Sequence, residues 1–396
     1  MLPAVLMVAT LAVAQSPRTK SPQGFRGDGT GRFPAASPPR EWSPTKNILW
    51  TTNIGPNKYS SPVVVDGRIF LVAEPARLVC VDAADGRILW ERTNGYADVP
   101  GKPDGKPPKG DAGNTTPTPV SDGRFVYAVF GTGVVACYNL AGHRQWIWYD
   151  GPYPEPEYGR SASPALIGGK LLVSLSSLIA LDAATGAPVW RNKEVLEQYG
   201  TPVPAVISGV EVAVLPSGQV VRISDGAILA SDLGGLRYAS PVVHDDIVYL
   251  IQAGSSAQRL SAAAGGHWEA RQVWDQELEG TFYASALWDN GLIYAVANEG
   301  IFTILDAKDG KILVRKELDL GDGGNMYPSL SLAGNALYVF NDKGDALVLA
   351  PGRTYQELGR NRLGAGHGGA PAFDGTRLYV RGGTNLYCIG VDGSKQ

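Results

Sequence analysis

The side chains able to do chemistry are few and scattered. His143, His244, His267 and His367 lie far apart, and none has a second His or Cys within the next five residues. Cys80, Cys137 and Cys388 form no CxxC pair and define no disulfide framework. Asp319, Asp322 and Asn325 imitate the start of a calcium loop, but its closing Glu is missing. No Gly-x-Ser-x-Gly elbow and no phosphate loop is present. No catalytic residue and no metal site is therefore expected. What does recur is a set of residues that each precede one copy of a repeated apolar segment: Tyr59, Asn114, Arg160, Tyr199, Arg237, Tyr238, Tyr283, Tyr327 and His367. Gathered around one opening, their rings and guanidinium groups would suit a flat or anionic ligand, or a peptide loop. The same tyrosines could equally fill the wide end of a tapering channel.

The segments that must position these residues occur eight times, anchored at Pro62, Pro119, Pro164, Pro204, Pro241, Ala286, Pro328 and Pro371. The mean step is about 44 residues, the period of a propeller with four strands per blade. Each copy carries a hinge such as Asp66-Gly67 or Asn290-Gly291, which predicts a tight hairpin because both residues tolerate positive φ. A second hairpin follows, as in residues 78–91, 134–148, 178–191 and 302–315. In it Asp82, Asp182 and Asp306 can accept hydrogen bonds from turn amides, while Gly86, Gly186 and Gly310 supply left-handed residues. Trp90, Trp146 and Trp190 offer flat surfaces for a neighbouring blade. The three cysteines share one slot of this hairpin, which predicts small buried residues rather than redox partners. The eighth copy lacks its outermost strand, and Asn47-Ile48-Leu49-Trp50 repeats Arg87-Ile88-Leu89-Trp90, so an N-terminal strand is expected to close the ring.

The segment Ala180 to Trp190, A-x-D-x-x-T-G-x-x-x-W, resembles the tryptophan-docking motif of the quinoprotein alcohol dehydrogenase-like superfamily, with Cys80 to Trp90 a close variant. On this likeness the chain is identified as a member of the pyrroloquinoline-quinone-like (PQQ-like) propeller repeat proteins, with coverage from about residue 47 to 390. Residues 24–33, GFRGDGTGRF, are similar to the lead-in of secreted bacterial members. The resemblance implies an all-β, eight-bladed propeller of four-stranded antiparallel blades. It also raises a PQQ-dependent oxidoreductase with calcium, or an outer-membrane assembly scaffold. The superfamily's dehydrogenases carry an adjacent Cys-Cys pair and set Glu, Asn and Asp around the ion; this chain has no such pair, and its mouth positions hold Tyr, Arg, Asn and His.

Charged residues make up only 18% and the net charge is -3, which leaves no basic stripe for nucleic acid. Residues 1–14, an apolar run ending Ala12-Val13-Ala14, read as a signal peptide, with no lipid-anchor cysteine behind it. Residues 15–46 read as an extended lead-in and 47–392 as one propeller domain. The expectation is a periplasmic or extracellular, monomeric, non-catalytic protein without cofactor, binding a partner protein or small ligand at the channel mouth.

Overall fold

The computed structural model describes residues 22–391 except 102, 107–110, 112, 152–157, 198, 264–266 and 322; the signal at 1–14 and Asp322 lie outside the described residues. The repeats form eight antiparallel sheets arranged as blades. Blade 1 spans residues 63–93, blade 2 120–149, blade 3 165–192 and blade 4 203–230. Blade 5 spans 242–277, blade 6 287–317, blade 7 331–362 and blade 8 372–389. The first strand of every blade lies nearest the axis of the ring, and those of blades 8, 1, 2, 3, 4, 5 and 6 touch one another in that order. The hinges are hairpin turns with the expected positive φ, as at Asp66 and Gly67 (50° and 70°). Because chain direction alternates from strand to strand, entry loops and second turns share one face, the mouth. First and third turns share the other, the far face.

Apolar alternation packs the blades face to face. The cluster around Phe70, Val72 and Leu78 of blade 1 meets Val126, Ala128 and Val134 of blade 2, and such cores repeat around the ring. Outside them lies a repeated clasp. Trp90 packs on the next blade's Gly142, Trp146 on Gly186, Trp190 on Gly226 and Trp274 on Gly310, where a Cβ would come within 2.7 Å of the indole. Each indole Nε1–H donates to that blade's turn, to Leu140 O, Ala183 O, Ile223 O and Ala307 O respectively, at 2.8–3.0 Å. The turns are in turn held by Asp82, Asp182 and Asp306, whose Oδ1 atoms accept the N–H of Ala84, Thr185 and Lys308. Trp274, which the repeat pattern does not single out, is the one of these four tryptophans that is buried; the other three are half-buried.

The ring closes through Ile48–Asn53, paired antiparallel with Asn385–Ile389 as the outermost strand of blade 8. Here the clasp is altered: Trp50 packs on Gly86, but Ala83 O accepts from Arg377 Nη1 (2.6 Å) instead of the indole. Thr52 Oγ1 donates to Gly86 O (2.6 Å).

Before that strand, the lead-in crosses the far face. Gln23 exchanges two backbone hydrogen bonds with Ser121 of blade 2, and the buried Arg26 donates to Ala286 O of blade 6. Arg32–Phe33 then pairs parallel with Leu332–Ala333, adding a fifth strand to blade 7. Trp42 is buried against Tyr338 and Phe340 between blades 7 and 8. The three cysteines are free and buried, and burial pushes their thiols up to about 12, so they are inert packing groups.

Removal of residues 1–54 takes away both the closing strand and the strap, so the truncated chain should melt well below the full one and associate in sedimentation experiments. Trp274→Ala should cost about 3–5 kcal/mol in denaturant melts, the range for a buried aromatic, and more than Trp190→Ala, whose indole stays partly exposed.

Candidate functional site

Inter-blade hydrogen bonds at the start of each inner strand set the channel's geometry. Ser61 N–H donates to Thr118 Oγ1, Thr118 to Ser163 Oγ and Ser163 to Thr201 Oγ1, at 3.0–3.1 Å. Thr201 N–H donates to Ser240 Oγ, Ser240 to Ser285 Oγ and Ser285 to Ser329 Oγ, at 2.9–3.0 Å. These bonds define equivalent positions, and they move two anchors by two residues. Pro202 and Leu330, not Pro204 and Pro328, follow the hydroxyl position in blades 4 and 7.

Side chains two residues apart in extended chain share a face, so the residue two before each hydroxyl also points into the channel. Those residues are Tyr59, Thr116, Ser161, Tyr199, Tyr238, Tyr283, Tyr327 and Gly368, and all eight line one cavity of about 330 Å³. Below them its wall is Thr118, Ser163, Thr201, Ser240, Ser285 and Ser329, and Phe25 of the strap lies at the far end. The channel is thus a socket, open at the mouth and crossed at its other end by the chain's own lead-in.

Around the mouth the tyrosines form a continuous arc. Ring centroids are 6.1 Å apart for Tyr158–Tyr199, 5.5 Å for Tyr199–Tyr238 and 4.7 Å for Tyr238–Tyr283. They are 5.1 Å apart for Tyr283–Tyr327 and 5.3 Å for Tyr327–Tyr59. Blade 8 contributes only Gly368 at its ring position. A Cβ there would stand 2.3 Å from Tyr59 Cδ1, so the glycine lets Tyr59 lean across blade 8 onto Tyr327. Desolvation first, then the neighbouring phenol and Asp342, raise the hydroxyl pKa of Tyr59, and desolvation with Tyr283 raises that of Tyr327. These phenols therefore stay neutral donors. Lys58 is the one cation in the lining, its Nζ donating to Asp111 O.

Four of the expected mouth residues do not line the socket. Asn114 and Arg160 are buried, two and one residues ahead of the true ring positions Thr116 and Ser161. Asn114 N–H donates to Glu74 Oε1 and Arg160 Nη1 to Leu175 O. Arg237, one residue off Tyr238, is exposed and lies over that ring at 5.0 Å. His367 is a buried pin: its Nδ1 accepts Gly369 N–H (2.9 Å), which leaves Nε2–H to donate to Asn57 Oδ1 (3.0 Å). Asn57 Oδ1 also accepts the N–H of Tyr59 and Ser60 (3.1 Å each), so this pin joins blade 8 to blade 1 beside the arc. Tyr158, Lys58, Phe25 and the hydroxyl ring escape a reading of the sequence that looks only one residue ahead of each strand. The signal that finds the ring is the repeated spacing of two, as in Tyr238–Ser240 and Tyr283–Ser285.

A family model described as outer membrane protein assembly factor BamB matches residues 42–180 and 174–354. The chain belongs to this family. The crystal structure of BamB from Moraxella catarrhalis is 14% identical, with a TM-score of 0.62 over 87% of this chain and 98% of that one. A europium-containing methanol dehydrogenase is 12% identical, with a TM-score of 0.62 over 87% of this chain and 93% of that one. The computationally designed Ika8 protein is also similar, at 12% identity and a TM-score of 0.58 over 86% of this chain and 99% of that one. No curated protein sequence matches the chain. At such identities the likeness establishes the fold, and the BamB-family propeller here must be read from its own residues. Among the described residues, no helix is long and apolar enough to cross a membrane.

Burial, then the charge of Arg381, lowers the His367 pKa well below 6.5. The folded state keeps this imidazole neutral while the unfolded chain protonates it near its ordinary value of about 6.5. Its contribution to stability is complete above that pH and declines as the pH falls below it. Thermal melts from pH 7.5 to 5 should therefore show a steeper loss for the unaltered protein than for His367→Gln. Gly368→Ala should separate Tyr59 from Tyr327, visible as a changed tyrosine near-ultraviolet circular dichroism signal with little change in fold.

Proposed function

We propose that this BamB-family chain is an extracytoplasmic, non-catalytic propeller that grips a protruding segment of a partner protein at its tyrosine-walled mouth. The observation that carries the reading is the unbroken arc from Tyr158 to Tyr59 over a socket that Phe25 of the strap also lines. Tyrosine supplies large, stiff, amphipathic contact area at low entropic cost, the chemistry of adaptable protein recognition. A socket crossed at its far end by the strap suits a side chain or a loop tip entering from the mouth. The outer-membrane assembly named by the family's description is one setting in which such a grip would serve.

A calcium-bound quinone suits this lining poorly. Asp111 is its one carboxylate and Lys58 its one cation, and no group of three His, Cys, Asp or Glu gathers among the described residues. Calcium prefers six to eight oxygens, several of them carboxylate, and an anionic quinone needs guanidinium or ammonium partners.

The test places a photo-crosslinking amino acid at Tyr327 in the full chain, in its native cells. One dominant protein adduct is expected, and adding Tyr238→Ala with Tyr283→Ala should reduce it about tenfold or more without altering the melt, since these rings stand on an open wall. Calorimetry with the quinone and calcium should show no stoichiometric binding. Stoichiometric uptake, or an adduct unaffected by the double substitution, would overturn the reading.

A further inference from the structure

The far face carries an unfilled copy of the arrangement that holds the strap. In blade 2 the closing pair of the first hairpin is Asp122 and Phe125, so the residue before it, Ser121, turns its N–H and C=O away from its own sheet. Both groups are taken by Gln23, at 2.7 and 2.8 Å. In blade 7 the same position is Leu332, whose N–H donates to Gly31 O (2.8 Å). The lead-in thus shows twice, within one chain, how an extended segment is received on this face.

Blade 4 offers the same place without an occupant among the described residues. Its hairpin closes on Ile207 and Val210 around Ser208-Gly209, which puts Val206 in the position of Ser121 and Leu332. Its inner strand, Val203–Ile207, is five residues long, against two or three in the other seven blades. Val206 is 62% exposed, the most exposed of the large apolar residues described. A groove of about 340 Å³ separates this edge from the strap, with Asp28, Gly29 and Thr30 on one wall and Val203, Val206 and Val243 on the other. Pro204, also outward by alternation, removes an N–H just where no sheet partner would use it, so the edge offers the Val206 N–H and two carbonyls.

We infer that Val203–Ile207 receives an extended segment of a partner protein, added to blade 4 as a strand through the Val206 N–H and C=O. The groove continues the interface that the strap already makes with blades 2 and 7, and a long apolar edge left bare would be an aggregation hazard. Main-chain pairing would supply affinity, the valines of the blade 4 edge would favour apolar residues at alternate positions, and Asp28, Arg32, His244 and Asp245 in the same groove would meet polar ones between them. This surface is independent of the tyrosine mouth.

The probe is a fluorescein-labelled peptide of residues 22–34, the one sequence known to pair with this face, added to the full chain. Saturable binding is expected, with slowed hydrogen exchange at the Val206 amide. Val206→Pro, which deletes the outward N–H and no hydrogen bond of blade 4's own ladder, should weaken binding about tenfold or more, while Val206→Thr should stay within about threefold. The Tyr238→Ala, Tyr283→Ala protein should bind the peptide unchanged, which separates this inference from the mouth. Unaltered exchange at Val206, equal binding by a folded Val206→Pro protein, or no saturation would overturn it. Concentration-dependent dimers abolished by Val206→Pro would also overturn it, by making a second copy the occupant.

Discussion

Every functional feature of this propeller hangs on a neutral hydrogen bond made six times: a backbone N–H of one blade to the serine or threonine hydroxyl of the next. Singly such a bond contributes only about 1 kcal/mol, but it is buried and fixed in register. It decides which residue of each inner strand faces the channel, and therefore that the tyrosines two positions earlier meet each other. A slip of one residue would turn the whole ring into the blade cores. Where blade 8 breaks the pattern with Ala370, the His367 to Asn57 pin takes over the junction, and Gly368 leaves the space that Tyr59 crosses. The join that lacks this bond and the continuity of the arc are thus served by neighbouring residues.

The outer clasp complements the inner one. A tryptophan on one blade closes over a turn glycine of the next and satisfies a turn carbonyl, so a large apolar area and a hydrogen bond are fixed by the same side chain. At the closing join Ala83 O accepts from Arg377 instead, and the Trp50 indole N–H has no hydrogen-bond partner among the described residues. Thr52 and the strap compensate, tying the first described residues to blades 2, 6, 7 and 8. The N-terminal segment is therefore structural twice over, as blade 8's last strand and as the strap across the channel's far end.

The propeller, its blade number, the closing strand and the docking turns were legible in the sequence because each is written by repetition: a DG or NG hinge, an Asp and Gly in one turn, a Trp at its end. The channel lining was legible in part. Tyr59, Tyr199, Tyr238, Tyr283 and Tyr327 stand out as the same residue type in five copies. Thr116, Ser161 and Gly368 do not, because their blades changed residue type, and reading proximity to the strand instead of parity gave Asn114, Arg160 and His367. Phe25 could not be placed, since its position depends on where the strap crosses the ring and no repeat encodes that path.

The two faces are joined by one strand and yet act separately. In blade 4, Tyr199 stands at the mouth and Val206 at the far edge, seven residues further along the chain, at most about 23 Å at the usual strand rise. That run is held by Thr201 and Ser240 at one end and by its own hairpin at the other. A β-strand fixed at both ends changes length very little. Occupation of either face would therefore leave the other's geometry intact, and the propeller would act as a rigid spacer that presents two separate grips rather than as a switch between them.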